Sequence, residues 1–294
     1  MPQTNTELAE SLHQFVTIWK MIGRPFPRVD QTDRAGLAIT WPDTHFPFYN
    51  ALFLTEQLMD APVLQDRAQE AAAYMRARPN GGLFVVCLDN VGGAARESLP
   101  TILAQAKFVQ AIPMTGMAGD ILPMAAPGHP ALRFERILND STIRDFAQLN
   151  CVSYDVPVET SLSLLKEHTL WHEHAYGFVA YEGDKPVSTA TAIINEGCLF
   201  LFLVATMPEA RRKGYGEAVV RQALQTAHEA TGIRRTVLHA TEAGYERCNP
   251  SRKFLLPDLF VAARDRFNWG QQRLLAADEQ TRRMSLGQRP RAET

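Results

Sequence analysis

Residues 199–221, with the sequence LFLFLVATMPEARRKGYGEAVVR, limit the possible folds of this chain more than any other stretch. An apolar run is followed by a proline, a basic turn with two glycines, and then apolar residues at spacings of three and four. This order predicts a buried strand, a tight turn and the start of an amphipathic helix. The first turn of a helix presents unpaired N–H groups and a partial positive charge. The stretch therefore predicts an anion site at the start of the helix.

The residues of the turn indicate which class of phosphate-binding loop it could belong to. Gly214 and Gly216 let the backbone come close to a phosphate, and residues 211–213 (Arg-Arg-Lys) add positive charge. A P-loop would continue with Lys-Ser/Thr, but Glu217 follows the second glycine, and a dinucleotide fingerprint would need glycine at Val219. By itself, the turn is also compatible with a solvated surface helix.

The spacing Arg-x-x-Gly-x-Gly, from Arg211 to Gly216 after a strand that contains Val204, resembles the pyrophosphate loop of the GCN5-related N-acetyltransferases (GNAT family). The predicted order β-α-α-β-β-β-α-β extends this resemblance over about residues 130–245. The resemblance implies the α/β (α+β) class, with a mixed, mostly antiparallel central sheet flanked by helices. It also implies acetyl-CoA as the cosubstrate and no metal.

In that family the strand before the loop separates from its neighbour, and its free backbone groups pair with the pantetheine arm of the cofactor. An N–H near Val204 or Ala205 would then face the thioester oxygen, and the loop amides would hold the pyrophosphate. The cofactor-binding residues that the resemblance implies are Leu203, Val204, Ala205, Thr206, Arg211, Arg212, Lys213, Gly214, Tyr215, Gly216 and Glu217.

Two side chains are predicted to transfer protons. Tyr245 is similar to the family tyrosine that protonates the departing thiolate, but Asn249-Pro250 replaces the Gly-aromatic pair of the family motif, and the resemblance ends at Cys248. An exposed helical tyrosine is the alternative. Glu196 is the predicted general base, because some members use a glutamate on the strand that leads into the site. An exposed carboxylate in a turn, with water relays serving as the base, is the alternative.

The length of 294 residues allows two domains. We predict an N-terminal α/β domain over 1–130, an acetyltransferase domain over 131–275 and a disordered tail over 276–294. The segment 114–130 contains three glycines and three prolines and is the predicted linker. The first domain resembles a degenerate second copy of the acetyltransferase fold; an unrelated α/β capping domain is the alternative.

The overall composition is that of an ordinary soluble protein. The formal net charge of −2 predicts no general attraction to nucleic acid or membranes, and neither a secretory signal nor an 18-residue apolar run is visible. We therefore expect a cytoplasmic protein. Its four cysteines lie far apart, which predicts free buried thiols. His168, His172 and His174 have spacings that suit a metal, but no nearby Cys or Asp completes a ligand set.

Together these features predict an acetyl-CoA-dependent N-acyltransferase. The amine of a small molecule or peptide would attack the thioester directly. Two alternatives remain at this stage: a CoA-binding regulatory module with impaired catalysis, and a protein that binds the phosphates of another nucleotide. The residues determine neither the acceptor nor the oligomeric state.

Overall fold

A computed structural model describes residues 3–121, 129–154, 158, 162, 170–241 and 258–264. The helices of this part are α1 (Gln3–Gly23), α2 (Ala61–Arg76), α3 (Gly93–Gln105), α4 (Asp140–Tyr154), α5 (Leu170–Glu173) and α6 (Tyr215–Thr231). The strands are β1 (Asp30–Arg34), β2 (Leu37–Trp41), β3 (Ala51–Leu54), β4 (Leu83–Cys87), β5 (Phe108–Asp120), β6 (Arg133–Arg136), β7 (Ala175–Glu182), β8 (Lys185–Asn195), β9 (Cys198–Thr206), β10 (Arg235–Thr241) and β11 (Asp258–Arg264).

All eleven strands belong to one sheet, in the order β1-β2-β3-β4-β11-β5-β10-β9-β8-β7-β6. Only the pairs β3–β4 and β9–β10 are parallel, and every other neighbouring pair is antiparallel. This sheet confirms the predicted fold class. Within the described residues, no helix has both the length and the apolar character needed to cross a membrane.

The two halves of the chain have matching connectivity. In each half a helix links the two strands of the parallel pair: α2 lies between β3 and β4, and α6 lies between β9 and β10. The next strand of each half then pairs with the other half, since β5 lies beside β10 and β11 lies beside β4. The sheet therefore continues across the predicted domain boundary at residue 130. The matching order is what a degenerate second copy predicts, and the copy itself stays a prediction.

Helix α1 packs against both halves. The ring of Phe15 lies 5.5 Å from that of Phe53 in β3 and 6.3 Å from that of Phe200 in β9. Residues of α1 and α4 share one core cluster, whereas α2 and α3, and separately α6, pack with side chains of the opposite parity along the strands. Because alternate strand residues point to opposite faces, α1 and α4 cover one face of the sheet and α2, α3 and α6 cover the other.

The structure differs from the sequence pattern at two places. The prolines and polar residues of the segment 23–33 (GRPFPRVDQTD) indicate a loop, but its end belongs to β1, whose polar residues pair with β2. The predicted linker begins within β5, which continues to Asp120 because β10 pairs with its second half. Cys87, Cys151 and Cys198 are buried, as predicted. Cys248 and the predicted tail over 276–294 lie outside the described residues. So do most of residues 159–167, where the sequence pattern indicates a second helix.

Candidate active site

The parallel strands β9 and β10 pair over only part of their length. Residues Leu199–Leu201 lie opposite Thr236–Leu238, and the two strands then continue to Thr206 and Thr241 without further pairing to each other. On its other edge, β9 stays paired with β8 as far as Thr206. The edge of residues 202–206 that faces away from β8 is therefore open, and we call this opening the fork. Unpaired strand edges accept another extended chain through backbone hydrogen bonds.

A bulge distorts β9 inside the fork. The pairing with β8 goes from Thr191–Phe202 to Thr189–Ala205, so β9 has one extra residue in this interval. Leu203 has a φ of 51°, which is strained for a residue with a branched side chain, and Val204 is 37% exposed. A bulge changes the direction of backbone groups, and strained residues of this kind occur frequently at functional sites.

The basic turn leads from the open end of β9 to α6. Gly214 has a φ of 81° and Arg212 a φ of 64°. The first backbone bond of the helix runs from the Ala218 amide to the Gly214 carbonyl, at 3.0 Å. The amides of residues 212–217 find no acceptor within the described residues. These donors lie at the start of the helix, where the helix dipole is positive, which is the arrangement that an anion site needs.

Gly216 has a packing role. A Cβ built on it would lie 3.1 Å from Oγ1 of Thr206, so the helix approaches the strand too closely for a larger residue to fit without displacement. Thr206 Oγ1 is itself 2.8 Å from Oγ of the buried Ser188 in β8. Ser188 also donates to the carbonyl of Ala205 at 3.0 Å. These contacts fix the end of β9 relative to the turn.

Glu182, at the end of β7, holds the turn from the other side. Tyr215 donates its hydroxyl hydrogen to Glu182, and Lys213 Nζ lies 3.3 Å from the same carboxylate. The hydrogen bond from Tyr215 lowers the pKa of Glu182, and Lys213 lowers it by a smaller amount. Lys213 is thus already paired, and Arg211 donates to the Thr206 carbonyl at 3.2 Å. Arg212 has no side-chain partner within the described part of the chain.

Neither Ser188 nor Glu182 was found by sequence analysis. Ser188 lies 17 and 18 residues before its partners Ala205 and Thr206 at the end of β9. Glu182 lies 31 and 33 residues before its partners Lys213 and Tyr215. Both belong to ordinary strand patterns. Their roles depend on the order of the strands in the sheet, and no local motif signals them.

The structure describes one of the two predicted catalytic residues. Tyr245 lies outside the described residues. Glu196 lies in the exposed turn between β8 and β9, where its carboxylate is 2.6 Å from Nε2 of His13. Leu203 lies seven positions further along the chain, or about 20 Å away at the rise of an extended chain. Glu196 is too far away for direct contact with a group bound at the bulge, and its role as a base stays a prediction.

The N-terminal half lacks both parts of this site within the described residues. Strand β3 pairs with β4 along its whole length, so no fork opens between them. The loop before α2 carries Glu56 and Asp60 in place of basic residues. Its backbone is joined to a neighbouring loop, since the Leu58 amide donates to the Asn90 carbonyl at 2.7 Å. The fork and the basic turn therefore belong to the C-terminal half.

No group of three or more His, Cys, Asp or Glu side chains suited to a metal is present in the described part of the chain. His174 lies 3.7 Å from Glu173, and both side chains are exposed. His168 lies outside the described residues.

The fold and the site combine an open edge of β9 with a basic turn at the start of α6. Residues 143–249 match the model of the acetyltransferase (GNAT) family. This match extends from α4 beyond β10 and contains the fork and the basic turn. The chain thus contains a GNAT acetyltransferase domain. A comparison with curated proteins found no match.

Solved structures share the fold over most of the chain. A GCN5-related N-acetyltransferase from Kribbella flavida is 14% identical and has a TM-score of 0.62, and the match covers 89% of this chain and 98% of that one. A GCN5-related N-acetyltransferase from Sphaerobacter thermophilus is 12% identical with a TM-score of 0.54, covering 87% and 91%. A functionally unknown conserved protein from Staphylococcus epidermidis ATCC 12228 is 11% identical with a TM-score of 0.57, covering 82% and 95%.

Proposed function

We propose that the protein transfers an acetyl group from acetyl-CoA to an amine of a small molecule or peptide. The observation that carries this proposal is the continuity between the open edge of β9 and the free amides at the start of α6. Acetyl-CoA has the complementary form: an extended pantetheine arm with amide groups, followed by a diphosphate. The arm would pair with residues 203–206, and the diphosphate would accept hydrogen bonds from residues 212–217.

The chemistry follows from where the thioester would lie. A backbone N–H near Val204 or Ala205 would donate to the thioester oxygen and stabilise the negative charge that develops there. The amine nitrogen attacks the carbonyl carbon, the C–N bond forms, and the C–S bond of the thioester breaks. The attacking nitrogen loses a proton and the thiolate gains one. Binding both reactants side by side supplies much of the rate.

The two proton transfers are assigned on sequence grounds. Tyr245 is the proposed acid that protonates the thiolate. Glu196 was predicted as the base; since it lies about 20 Å along the strand from the bulge, water would have to relay the proton to it. Glu196→Gln, compared with His13→Gln, tests this role. Both changes alter the same side-chain hydrogen bond, so a role as base requires that kcat fall in the Glu196→Gln variant alone.

One observation favours a second function, a CoA-binding regulatory module with impaired catalysis. Asn249-Pro250 stands where the family motif that begins at Tyr245 has its Gly-aromatic pair. We propose the enzyme in preference because residues 143–249, which contain the fork and the basic turn, match the acetyltransferase family. On sequence grounds we place either activity in the cytoplasm.

An assay with acetyl-CoA, a panel of amines and a thiol-reactive dye separates these functions. Release of CoA that depends on an added amine supports the transferase. Binding of acetyl-CoA without turnover for any amine supports the regulatory module. Thermal stabilisation by ATP or NAD, with none by CoA, would contradict both and favour a different nucleotide ligand.

A further inference from the structure

His129 lies at the end of the predicted linker and packs against the basic turn. Its ring packs edge-on against that of Tyr215, with the ring centroids 5.0 Å apart. Its Cδ2 and Nε2 atoms lie 3.9 and 4.0 Å from the position that a Cβ on Gly214 would occupy. The imidazole thus lies beside Gly214, within the segment 212–217 whose amides have no acceptor among the described residues.

The hydrogen bonds of His129 determine which nitrogen carries the proton. The backbone amide of Ala131 donates to Nδ1 at 3.3 Å. A nitrogen that accepts a hydrogen bond has no proton of its own, so the neutral ring carries its hydrogen on Nε2. Nε2 has no hydrogen-bond partner within the described residues, and it is not among the buried polar atoms that lack one. It is therefore an accessible N–H donor beside the anion site.

Some charged side chains of the turn are already paired with neighbours, so a further donor would add to the site. Lys213 is paired with Glu182, and Glu217 is paired with Arg221. These pairs partly neutralise the charge that the sequence places around the turn. In the described structure, two nearby donor groups remain without a partner: the Arg212 guanidinium and Nε2 of His129.

We propose that His129 donates its Nε2 hydrogen to the diphosphate of the bound cofactor, so that the segment between the two halves supplies part of the anion site. This inference rests on the proposed function. The diphosphate is the expected acceptor because Nε2 lies next to Gly214, within the segment 212–217 whose amides have no acceptor among the described residues.

The test compares three cofactor forms by calorimetry. Acetyl-CoA has every phosphate, dephospho-CoA keeps only the diphosphate, and S-acetylpantetheine has no phosphate. His129→Phe keeps an aromatic ring against Tyr215 but removes the donor, and His129→Gln restores an N–H group. His45→Phe is the matched control, because His45 is an exposed histidine of the N-terminal half.

We expect His129→Phe to weaken acetyl-CoA and dephospho-CoA alike, by about tenfold, and to leave S-acetylpantetheine unchanged. His129→Gln should recover part of the loss, and His45→Phe should match the wild type. The inference is overturned if His129→Phe binds acetyl-CoA within twofold of the wild type, or if it weakens all three compounds equally. If the wild type itself does not bind acetyl-CoA, the proposed function fails first.

Discussion

Leu201 and Leu238 form the last residue pair between β9 and β10, and the two strands diverge beyond them. The bulge at Leu203 follows within two residues on β9, and the basic turn begins at Arg211, five residues after that strand ends. An open strand edge, a bulge and the proposed anion site thus follow one another along the chain. This arrangement fits a long ligand with an anionic end, and the following predictions test its parts.

Gly214→Val should weaken acetyl-CoA binding by roughly 100-fold, because a branched side chain would displace the phosphate from the amides, and each lost bond to a charged group is worth about 1.5–3 kcal/mol. The matched control is Gly232→Val at the other end of α6. Gly232 has a φ of 74°, close to the 81° of Gly214, so both variants should lose similar thermal stability. Calorimetry measures the affinity. An unchanged Kd in Gly214→Val would show that the turn does not hold the cofactor.

Tyr245→Phe should lower kcat by about 100-fold with little change in the KM for acetyl-CoA, since general acid catalysis contributes on this scale and the hydroxyl has no proposed role in binding. Steady-state kinetics with the thiol-reactive dye measures both parameters. Tyr176→Phe removes a hydroxyl from β7 and is the control. A Tyr245→Phe enzyme with the wild-type kcat would remove this residue from the mechanism.

His239 should make the stability of the fold depend on pH. Its Nε2 lies 3.0 Å from Oγ of Ser11, its Nδ1 is buried without a partner, and burial lowers the pKa of His239 to about 3. An unfolded histidine titrates near pH 6.5, so between these values the unfolded chain binds more protons. The free energy of unfolding should therefore fall as the pH falls below 6.5, by on the order of 1 kcal/mol per pH unit.

Urea unfolding at pH 7, 6 and 5 checks this contribution, with His239→Phe as the comparison. The variant should lack this part of the pH dependence, because phenylalanine does not titrate, although its absolute stability at pH 7 can differ. Parallel curves for the two proteins would mean that His239 is protonated as readily in the folded state as in the unfolded state.

Phe15→Ala should destabilise the whole protein by about 3–5 kcal/mol, because it leaves a cavity between the halves. The loss should appear in one cooperative transition, since the Phe15 ring contacts both Phe53 and Phe200 in a continuous sheet. Near-UV and far-UV circular dichroism during urea unfolding measure it. Met59→Ala is the control, because Met59 is 61% exposed and should change stability by less than about 0.5 kcal/mol. Two separate transitions would show that the halves unfold independently.

Sequence patterns identify the elements around the site because the signals are local. The apolar run of β9, the turn at Gly214 and the spacing of α6 follow one another within a single stretch. The start of α4 is also indicated by neighbouring residues, since Asn139 precedes the helix. Its Oδ1 accepts a hydrogen bond from the Thr142 amide at 3.0 Å and caps the helix. Such contacts span few residues, so the chain's own order determines them.

The sequence alone therefore determined the fold class, the strand–turn–helix and the candidate anion site. Only the tertiary structure decided the length of β5, the exchange of strands between the halves and the contacts of Glu182, Ser188 and His129 with the end of β9 and the turn. The polar strand β1 belongs to the same group, since it forms through pairing with β2. The physical reason is that these features depend on partners that are distant along the chain, or on the completed sheet. The pattern of neighbouring residues does not indicate which strands lie side by side.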